Sequence, residues 1–199
     1  MKNKFNHVYQ FKITLQNSKP PIWRRIQVPE TYTFWDLHVA IQDAMGWLDY
    51  HLHLFEVIDP STGIKMEIGT PEEGFEDYGG TIPEWKEKIS DYFTIDNIKA
   101  DYTYDFGDNW EHKIELENIL PREDDVKYPI CIKGKRACPP DDCGGIWGYE
   151  ELLEIIGDPE HEEHEEMLEW IGGDFDPKHF DMKEVCFDDP AKRHKNAFG

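Results

Sequence analysis

The stretch YDFGDNWEHKIELE and the three residues before it constrain the fold most, because they alternate apolar and polar side chains on both sides of a short turn. The apolar positions are Tyr102, Tyr104 and Phe106 before the turn, and Trp110, His112, Ile114 and Leu116 after it. Successive side chains of a strand point to opposite faces, so the pattern predicts a β-hairpin with one face in water. His112 then points inward, where an imidazole is either a hydrogen-bonded core group or part of a site.

The first third of the chain predicts two strands, a helix and two further strands. Residues 8–15 alternate in polarity, and the turn SKPP leads to a second strand over residues 22–28. Thr33 is a suitable N-cap for the helix, Asp36 stands at the capping-box position, and Gly46 suits its end. The segments HLHLFEVID and GIKMEI then predict two strands across the turn DPSTG.

The remainder of the chain predicts an irregular segment and a helical end. Residues 69–97 are polar and rich in glycine, so we expect irregular structure there with one short helix near residues 85–89. Helices are predicted over residues 149–156 and 158–170, and a short one starts at Asp176.

These elements predict an α+β fold with a mainly antiparallel sheet, an early β-β-α-β-β unit and a C-terminal acidic helical segment. A length of 199 residues fits one domain. Within it we expect a sheet-rich body over residues 1–137 and a helical acidic part over residues 138–199.

The charge of −21 is unevenly distributed. Residues 1–29 hold six Lys or Arg and no acid, whereas residues 141–189 hold eighteen acids against two lysines, a local net charge of −16. The acidic part either is a solvated face or docks on the basic N-terminal strands, or it attracts a basic protein partner. Broad nucleic-acid binding is disfavoured, because neutralising phosphates requires clustered Lys and Arg.

The sequence predicts a cytoplasmic protein without a membrane segment. The basic N-terminus runs directly into alternating residues and lacks the apolar core of a signal peptide, and no window approaches a membrane span. The four cysteines are then expected to be thiols or metal ligands and not disulfides.

Cys138, Cys143, His161 and His164 form a candidate zinc site. Four residues separate the cysteines, as in zinc knuckles, and the two histidines share one face of a predicted helix. Only two residues separate the histidines, fewer than the usual three to five or so. The alternative is a proline-rich turn with two buried thiols and two histidines that hydrogen-bond to neighbouring chain.

His53, His112, Asp105 and Asp108, with His51 as a further member, form a candidate catalytic cluster. Alternation would bring them together on adjacent strands, where two histidines with carboxylates suit acid-base chemistry or a 2-His-1-carboxylate metal site. The alternative places His112 in the core, bonded to a backbone carbonyl, and makes Asp108 a turn residue. His38, on the apolar side of its helix, is expected to be a core histidine.

Nearly the whole chain resembles the plasmid pRiA4b ORF-3-like family, also labelled as an insertion-element passenger with a resolvase-type name. The matching stretches are PPIWRRIQVP, TFWDLHVAIQDAMGW, HLHLFEV, YDFGDNWEHKIELE, CPPDDCGGIWGYEELLE and HEEHEEMLEWIGGDFDPKHFD. The resemblance implies a single α+β domain and names no activity. Recombinase chemistry is disfavoured, because it needs a nucleophile within an arginine cluster and the chain has only five arginines.

Two function classes follow. We expect an accessory or interaction module associated with plasmids or mobile elements, which binds a protein partner through the acidic helices or the exposed part of the hairpin. The competing class is a metal-dependent enzyme, hydrolase-like, built on the histidine and carboxylate cluster. A structural zinc in the cysteine and histidine set is compatible with either class.

Overall fold

The structure is a computed structural model that describes residues 5–71 and 80–199. The first four residues of the basic N-terminus and residues 72–79 of the predicted irregular segment lie outside the described residues. The strands are β1 (His7–Leu15), β2 (Ile22–Pro29), β3 (His53–Ile58), β4 (Lys65–Gly69), β5 (Ile82–Pro83), β6 (Lys99–Tyr104), β7 (Trp110–Pro121) and β8 (Ile130–Lys135). The helices are α1 (Phe34–Met45), α2 (Ile89–Tyr92), α3 (Gly145–Gly157), α4 (His164–Trp170) and α5 (Pro190–Phe198). The α+β class is confirmed.

All eight of these strands form one sheet in the order β5-β4-β3-β6-β7-β1-β2-β8. Neighbouring strands are antiparallel except β4 and β5, which are parallel. Tyr102 of β6 stands opposite Phe55 of β3 on one side and His112 of β7 on the other. The middle of the sheet therefore brings aromatic and histidine side chains from three strands together.

The hairpin of β6 and β7 keeps its predicted alternation up to the turn. Tyr102, Tyr104, Trp110 and His112 are fully buried. Phe106 departs from the pattern and is 55% exposed, because β6 ends at Tyr104 and Asp105 adopts a left-handed conformation with φ 55°. The reversal at Asp105 turns Phe106 toward solvent and leaves the Asp105 carboxylate largely buried.

Helix α1 is positioned by its ends and by its burial. The Thr33 hydroxyl accepts from the Asp36 amide and the Asp36 carboxylate accepts from the Thr33 amide, which completes the capping box. Gly46 ends the helix in the left-handed conformation, with φ 92°. Most side chains of α1 are buried, because the helix packs on the sheet and is also contacted by α5. This orientation directs His38 into the interior.

The last third differs from the prediction in where its helices begin, and the predicted short helix at Asp176 is wrong, because residues 176–180 form a turn. The segment after α3 forms turns, since the Asp158 carboxylate accepts from the Glu160 amide and the Asp158 carbonyl accepts from the His161 amide. Helix α5 begins at Pro190 with Asp189 as its N-cap and was not predicted.

Within the described ranges, no helix combines the length and the apolar character needed to cross a bilayer.

Candidate functional site

Two neighbouring groups of histidine and carboxylate side chains lie where the chain passes from α1 into β3. In each group, possible metal-ligand atoms all lie within 4.8 Å of one another. The inner group is His38, Asp49 and His53, and the outer group is His51, Asp105 and Asp142. Regular alternation along DYHLH would place positions 49, 51 and 53 on one face, but Asp49 adopts a left-handed conformation with φ 60° and β3 begins only at His53. His51 therefore falls in a different group from Asp49 and His53.

His38 makes hydrogen bonds through both of its ring nitrogens. Its Nε2 lies 2.8 Å from Asp49 Oδ1, and its Nδ1 lies 2.9 Å from the hydroxyl oxygen of Tyr102. An ionised carboxylate only accepts hydrogen bonds, so Nε2 of His38 donates to Asp49 and Nδ1 accepts from the Tyr102 hydroxyl. That hydroxyl oxygen accepts in turn from Gln42 Nε2 at 2.9 Å. A chain of hydrogen bonds therefore runs from Gln42 through Tyr102 and His38 to Asp49.

His53 is held by a second buried acid. Its Nε2 lies 2.5 Å from Glu84 Oε2, while the Thr70 hydroxyl donates to Glu84 Oε1 at 3.0 Å. Glu84 is completely buried. Burial alone would raise the pKa of Glu84, but the hydrogen bond and charge of His53, with lesser help from His38 and Thr70, lower that pKa below its ordinary value. Glu84 is therefore a carboxylate at neutral pH.

The rings of His38 and His53 stack, with centroids 3.4 Å apart and planes 5° apart. Burial, and next the neighbouring His53, lower the pKa of His38 to about 4, so its ring is neutral at neutral pH. The lone pair of an imidazole nitrogen lies in the ring plane, and two parallel rings cannot aim these lone pairs at one ion. The inner group is therefore a hydrogen-bonded network that fixes the loop between α1 and β3.

Helix α5 covers the inner group from outside. Arg193 of α5 lies 3.5 Å from Asp49 Oδ2, on the carboxylate whose other oxygen accepts from His38. Burial opposes ionisation of Asp49, but the His38 hydrogen bond and the surrounding positive groups outweigh it and lower its pKa. Between residues 47–50 and residues 187–197 lies a cleft of about 730 Å³.

The outer group joins three separate loops. His51 Nε2 lies 3.0 Å from Asp142 Oδ1 and 3.7 Å from Asp105 Oδ2. The Asp142 side chain is 65% exposed and that of Asp105 is 11% exposed, so the group is open to solvent on one side. Both aspartates adopt left-handed conformations, with φ 60° and 55°, which asparagine and aspartate tolerate best among residues with a Cβ.

Hydrogen bonds tie these loops to one another. The Leu48 amide donates to Asp141 Oδ2 at 3.1 Å, and the Gly144 amide donates to Asp108 Oδ2 at 3.0 Å. The Asp105 amide donates to the Leu52 carbonyl at 2.9 Å. We call residues 46–52, 105–109 and 139–147 together the three-loop surface.

The three-loop surface exposes large apolar side chains around the outer group. They are Leu48, Tyr50, Leu52, Phe106 and Trp147, with exposures between 55% and 83%. Asp108, Asp141 and Asp142 are at least partly exposed on the same segments, whereas Asp49 and Asp105 are largely buried. The surface is therefore both apolar and acidic.

The structure divides the predicted catalytic cluster. His53 belongs to the inner group, and His51 and Asp105 belong to the outer group. Asp108 accepts from the Gly144 amide and so joins two loops. His112 belongs to neither group.

His112 is a core residue. It is completely buried, its Nδ1 lies 3.3 Å from the Tyr102 carbonyl, and its ring meets the Trp47 ring edge to face. Burial lowers its pKa to about 4, so the ring is neutral. This geometry matches the alternative in which His112 bonds to a backbone carbonyl.

The predicted zinc ligands lie around α3 and α4. His164 Nδ1 donates to the Ile155 carbonyl at 3.1 Å, and His161 Nδ1 accepts from the Glu163 amide at 3.2 Å. Burial raises the pKa of Cys138, and burial followed by Asp108 raises the pKa of Cys143 to about 12. None of the four residues belongs to the inner or the outer group. Zinc binding by this set stays a prediction.

Asp49 and Asp142 belong to these groups and Glu84 contacts His53, and these three acids were not predicted as site residues from the sequence. For Asp49 the spacing DYHLH gives only a partial signal. An extended chain would place Asp49 on one face with His51 and His53, but its left-handed conformation separates it from His51. For Glu84 and Asp142 we find no local signal. They reach the groups through loops whose positions depend on distant contacts.

Comparison with known proteins shows related chains of similar extent. A family model described as plasmid pRiA4b ORF-3-like protein matches residues 7–184. The uncharacterized protein y4hQ of Sinorhizobium fredii is 37% identical over 173 residues, which is 85% of this chain and 84% of that protein. A crystal structure of a protein of unknown function from Methanosarcina mazei Go1 is 54% identical, covers 92% of this chain and 100% of that one, and superimposes with a TM-score of 0.86.

Proposed function

The chain belongs to the plasmid pRiA4b ORF-3-like family, and from that premise we propose that it is a cytoplasmic accessory module of plasmids or mobile elements. In this proposal it acts by binding a basic protein partner through the three-loop surface. The observation that carries the proposal is the exposure of five large apolar side chains on the loops that also present the aspartates. The link to plasmids and mobile elements rests on the family description.

Exposed aromatic and aliphatic groups on one surface favour recognition of another protein. Tyr50 is 72% exposed and Trp147 is 83% exposed, and such amphipathic aromatics anchor many interfaces. Single exposed apolar residues are common, but several on adjoining loops are typical of an interaction site. The inner group and the bonds between the loops hold the surface in place, which lowers the entropy cost of binding.

The charges of the three-loop surface favour a basic partner. Asp108, Asp141 and Asp142 are at least partly exposed on the same segments as the apolar side chains, and complementary charge increases both the rate and the specificity of association. A nucleic-acid partner is disfavoured on the same grounds. Arg24 donates to backbone carbonyls, Arg25 to Glu117 and Arg193 to Asp43, so these three arginines are engaged within the protein.

A peptide-display selection tests this proposal. The immobilised protein is presented with random peptides, and those enriched are resynthesised for measurement of their dissociation constants. We expect enrichment of peptides that combine Lys or Arg with aromatic residues, and weaker binding at higher salt. In a Tyr50→Ser, Trp147→Ser double variant, binding is expected to weaken at least about tenfold.

The matched control for this variant is Ile64→Ser with Ile95→Ser. These side chains are 60% and 85% exposed but lie outside the three-loop surface, so their removal should leave peptide binding unchanged. The proposal fails if no peptides are enriched, or if the control variant loses binding as much as the Tyr50 and Trp147 variant does.

The second candidate function is a metal-dependent enzyme, hydrolase-like, centred on the outer group. One observation favours it: the group combines an imidazole and two carboxylates and opens to solvent at Asp142. Assay of ester and phosphoester substrates with added Zn²⁺ or Mn²⁺ separates the two functions. Metal-dependent turnover that disappears in His51→Ala would favour the enzyme over the binding module.

A further inference from the structure

We infer that His51, Asp105 and Asp142 form a binding site for a divalent transition-metal cation of the zinc or manganese class. The three side chains come from three different loops, and their possible ligand atoms all lie within 4.8 Å of one another. The inference goes beyond the proposed partner binding, because metal binding is measured on the isolated protein and does not require a partner.

The separations between the donor atoms suit such an ion. Ligand atoms at about 2.0–2.2 Å from a zinc-sized ion are roughly 3–3.6 Å from each other. His51 Nε2 is 3.0 Å from Asp142 Oδ1 and 3.7 Å from Asp105 Oδ2. Small movements of the His51 and Asp142 side chains would bring all three donor atoms, which already lie within 4.8 Å of one another, into one coordination shell.

Nε2 of His51 lies close to both carboxylates without hydrogen-bonding to either. Nε2 of His51 is shielded from solvent, and among the described residues it has no hydrogen-bond partner of acceptable geometry, although both carboxylates lie within 4 Å. A buried nitrogen in this position is costly by itself. A cation between His51, Asp105 and Asp142 satisfies the nitrogen and both negative charges together.

Hydrogen bonds from neighbouring backbone amides orient the outer group and the loop beside it. Asp105 Oδ1 accepts from the Gly107 amide at 2.9 Å, which orients the carboxylate and leaves Oδ2 facing His51. The neighbouring loop is fixed by the bond from the Leu48 amide to Asp141. An imidazole with two carboxylates is a mixed nitrogen and oxygen set, which favours Zn²⁺ or Mn²⁺ over Ca²⁺.

The inner group does not compete for this ion. The rings of His38 and His53 are stacked, and both ring nitrogens of His38 and Nε2 of His53 already make hydrogen bonds. The outer group differs in being open to solvent and in containing the unpaired His51 nitrogen. These differences assign the metal to the outer group.

Isothermal titration of the metal-stripped protein with Zn²⁺ and with Mn²⁺ tests the inference, and metal-dependent rise of the melting temperature gives a second readout. We expect about one equivalent to bind. His51→Ala and Asp142→Asn should each weaken binding about tenfold or more. Asp142→Asn is a surface change that leaves folding intact, and circular dichroism checks both variants.

Three controls identify the site. His7→Ala and Asp124→Asn remove an exposed histidine and an exposed acid elsewhere and should bind like the wild type. A Cys143→Ser, His164→Ala variant should also retain the ion. The inference is overturned if the wild type binds neither metal, if His51→Ala and Asp142→Asn bind unchanged, or if only the Cys143 and His164 variant loses binding.

Discussion

Arg193, near the end of the chain, donates through Nη2 to Asp43 of α1 at 2.6 Å. The same guanidinium reaches Asp188 at 2.6 Å and lies 3.5 Å from Asp49. Asp43 is only 7% exposed, so one arginine of α5 compensates a nearly buried carboxylate of α1 and approaches the inner group. Residues 190–198 lie beyond the segment that matches the family model, yet they pack on α1, which lies within that segment.

Replacing Arg193 by glutamine should lower the free energy of unfolding by about 1–3 kcal/mol, because Asp43 and Asp49 lose a charged donor in a partly buried setting. Urea denaturation at neutral pH measures the change. Lys195→Gln, an exposed lysine of the same helix, is the matched control and should change stability little. Equal effects of the two variants would mean that the Arg193 contacts contribute nothing specific.

Replacing Tyr102 by phenylalanine should destabilise the protein by about 1–3 kcal/mol, because the buried His38 Nδ1 and the Gln42 amide lose their shared partner. Thermal or urea unfolding provides the measurement. Tyr50→Phe, which removes a hydroxyl from a residue that is 72% exposed, should be neutral. A neutral Tyr102→Phe would show that the hydrogen-bond chain through His38 does not stabilise the fold.

The stability of the protein should fall as the pH drops from about 6.5 toward 4, partly because of His112. The pKa of His112 is about 4 in the folded protein and about 6.5 in an unfolded chain, so unfolding takes up a proton in this window. The stability that neutral His112 provides is complete above pH 6.5 or so and is lost at about 1.4 kcal/mol per pH unit below it.

His112→Gln, which cannot titrate, should reduce this pH dependence by about 1.4 kcal/mol per unit between pH 4 and 6.5. Urea denaturation across that range, for wild type and variant, checks the difference. His38 and the carboxyl groups titrate in both proteins, so the difference isolates His112. Parallel pH profiles would show that His112 titrates normally in the folded state.

Replacing Gly145 by alanine should destabilise the protein by about 1–3 kcal/mol and loosen the three-loop surface. Gly145 has φ 70°, and a Cβ there would stand 2.4 Å from the Asp108 carbonyl oxygen. Gly157, in the same helix, has nothing within 4 Å of an added Cβ, so Gly157→Ala should be neutral or slightly stabilising. Hydrogen exchange and urea unfolding of both variants measure the contrast, and equal stability would exclude a close contact at Gly145.

The sequence by itself determined the local elements of this protein. Alternation defined the β6 and β7 hairpin, and the Thr33 and Asp36 capping box with Gly46 defined α1, because these signals depend on neighbouring residues. It did not predict α5, nor the turns after Asp158, where side-chain to backbone bonds compete with the helix. The inward direction of His112 also followed from alternation, and its burial is complete.

Only the tertiary structure decided which side chains meet. The order of strands places His53 of β3 beside His38 of α1 and Glu84, and loop contacts bring Asp142 to His51. No local pattern encodes these meetings, because they depend on pairings between segments far apart in the chain. The periodicity of a strand tells which way a histidine points, whereas the packing of distant elements determines which acid it meets.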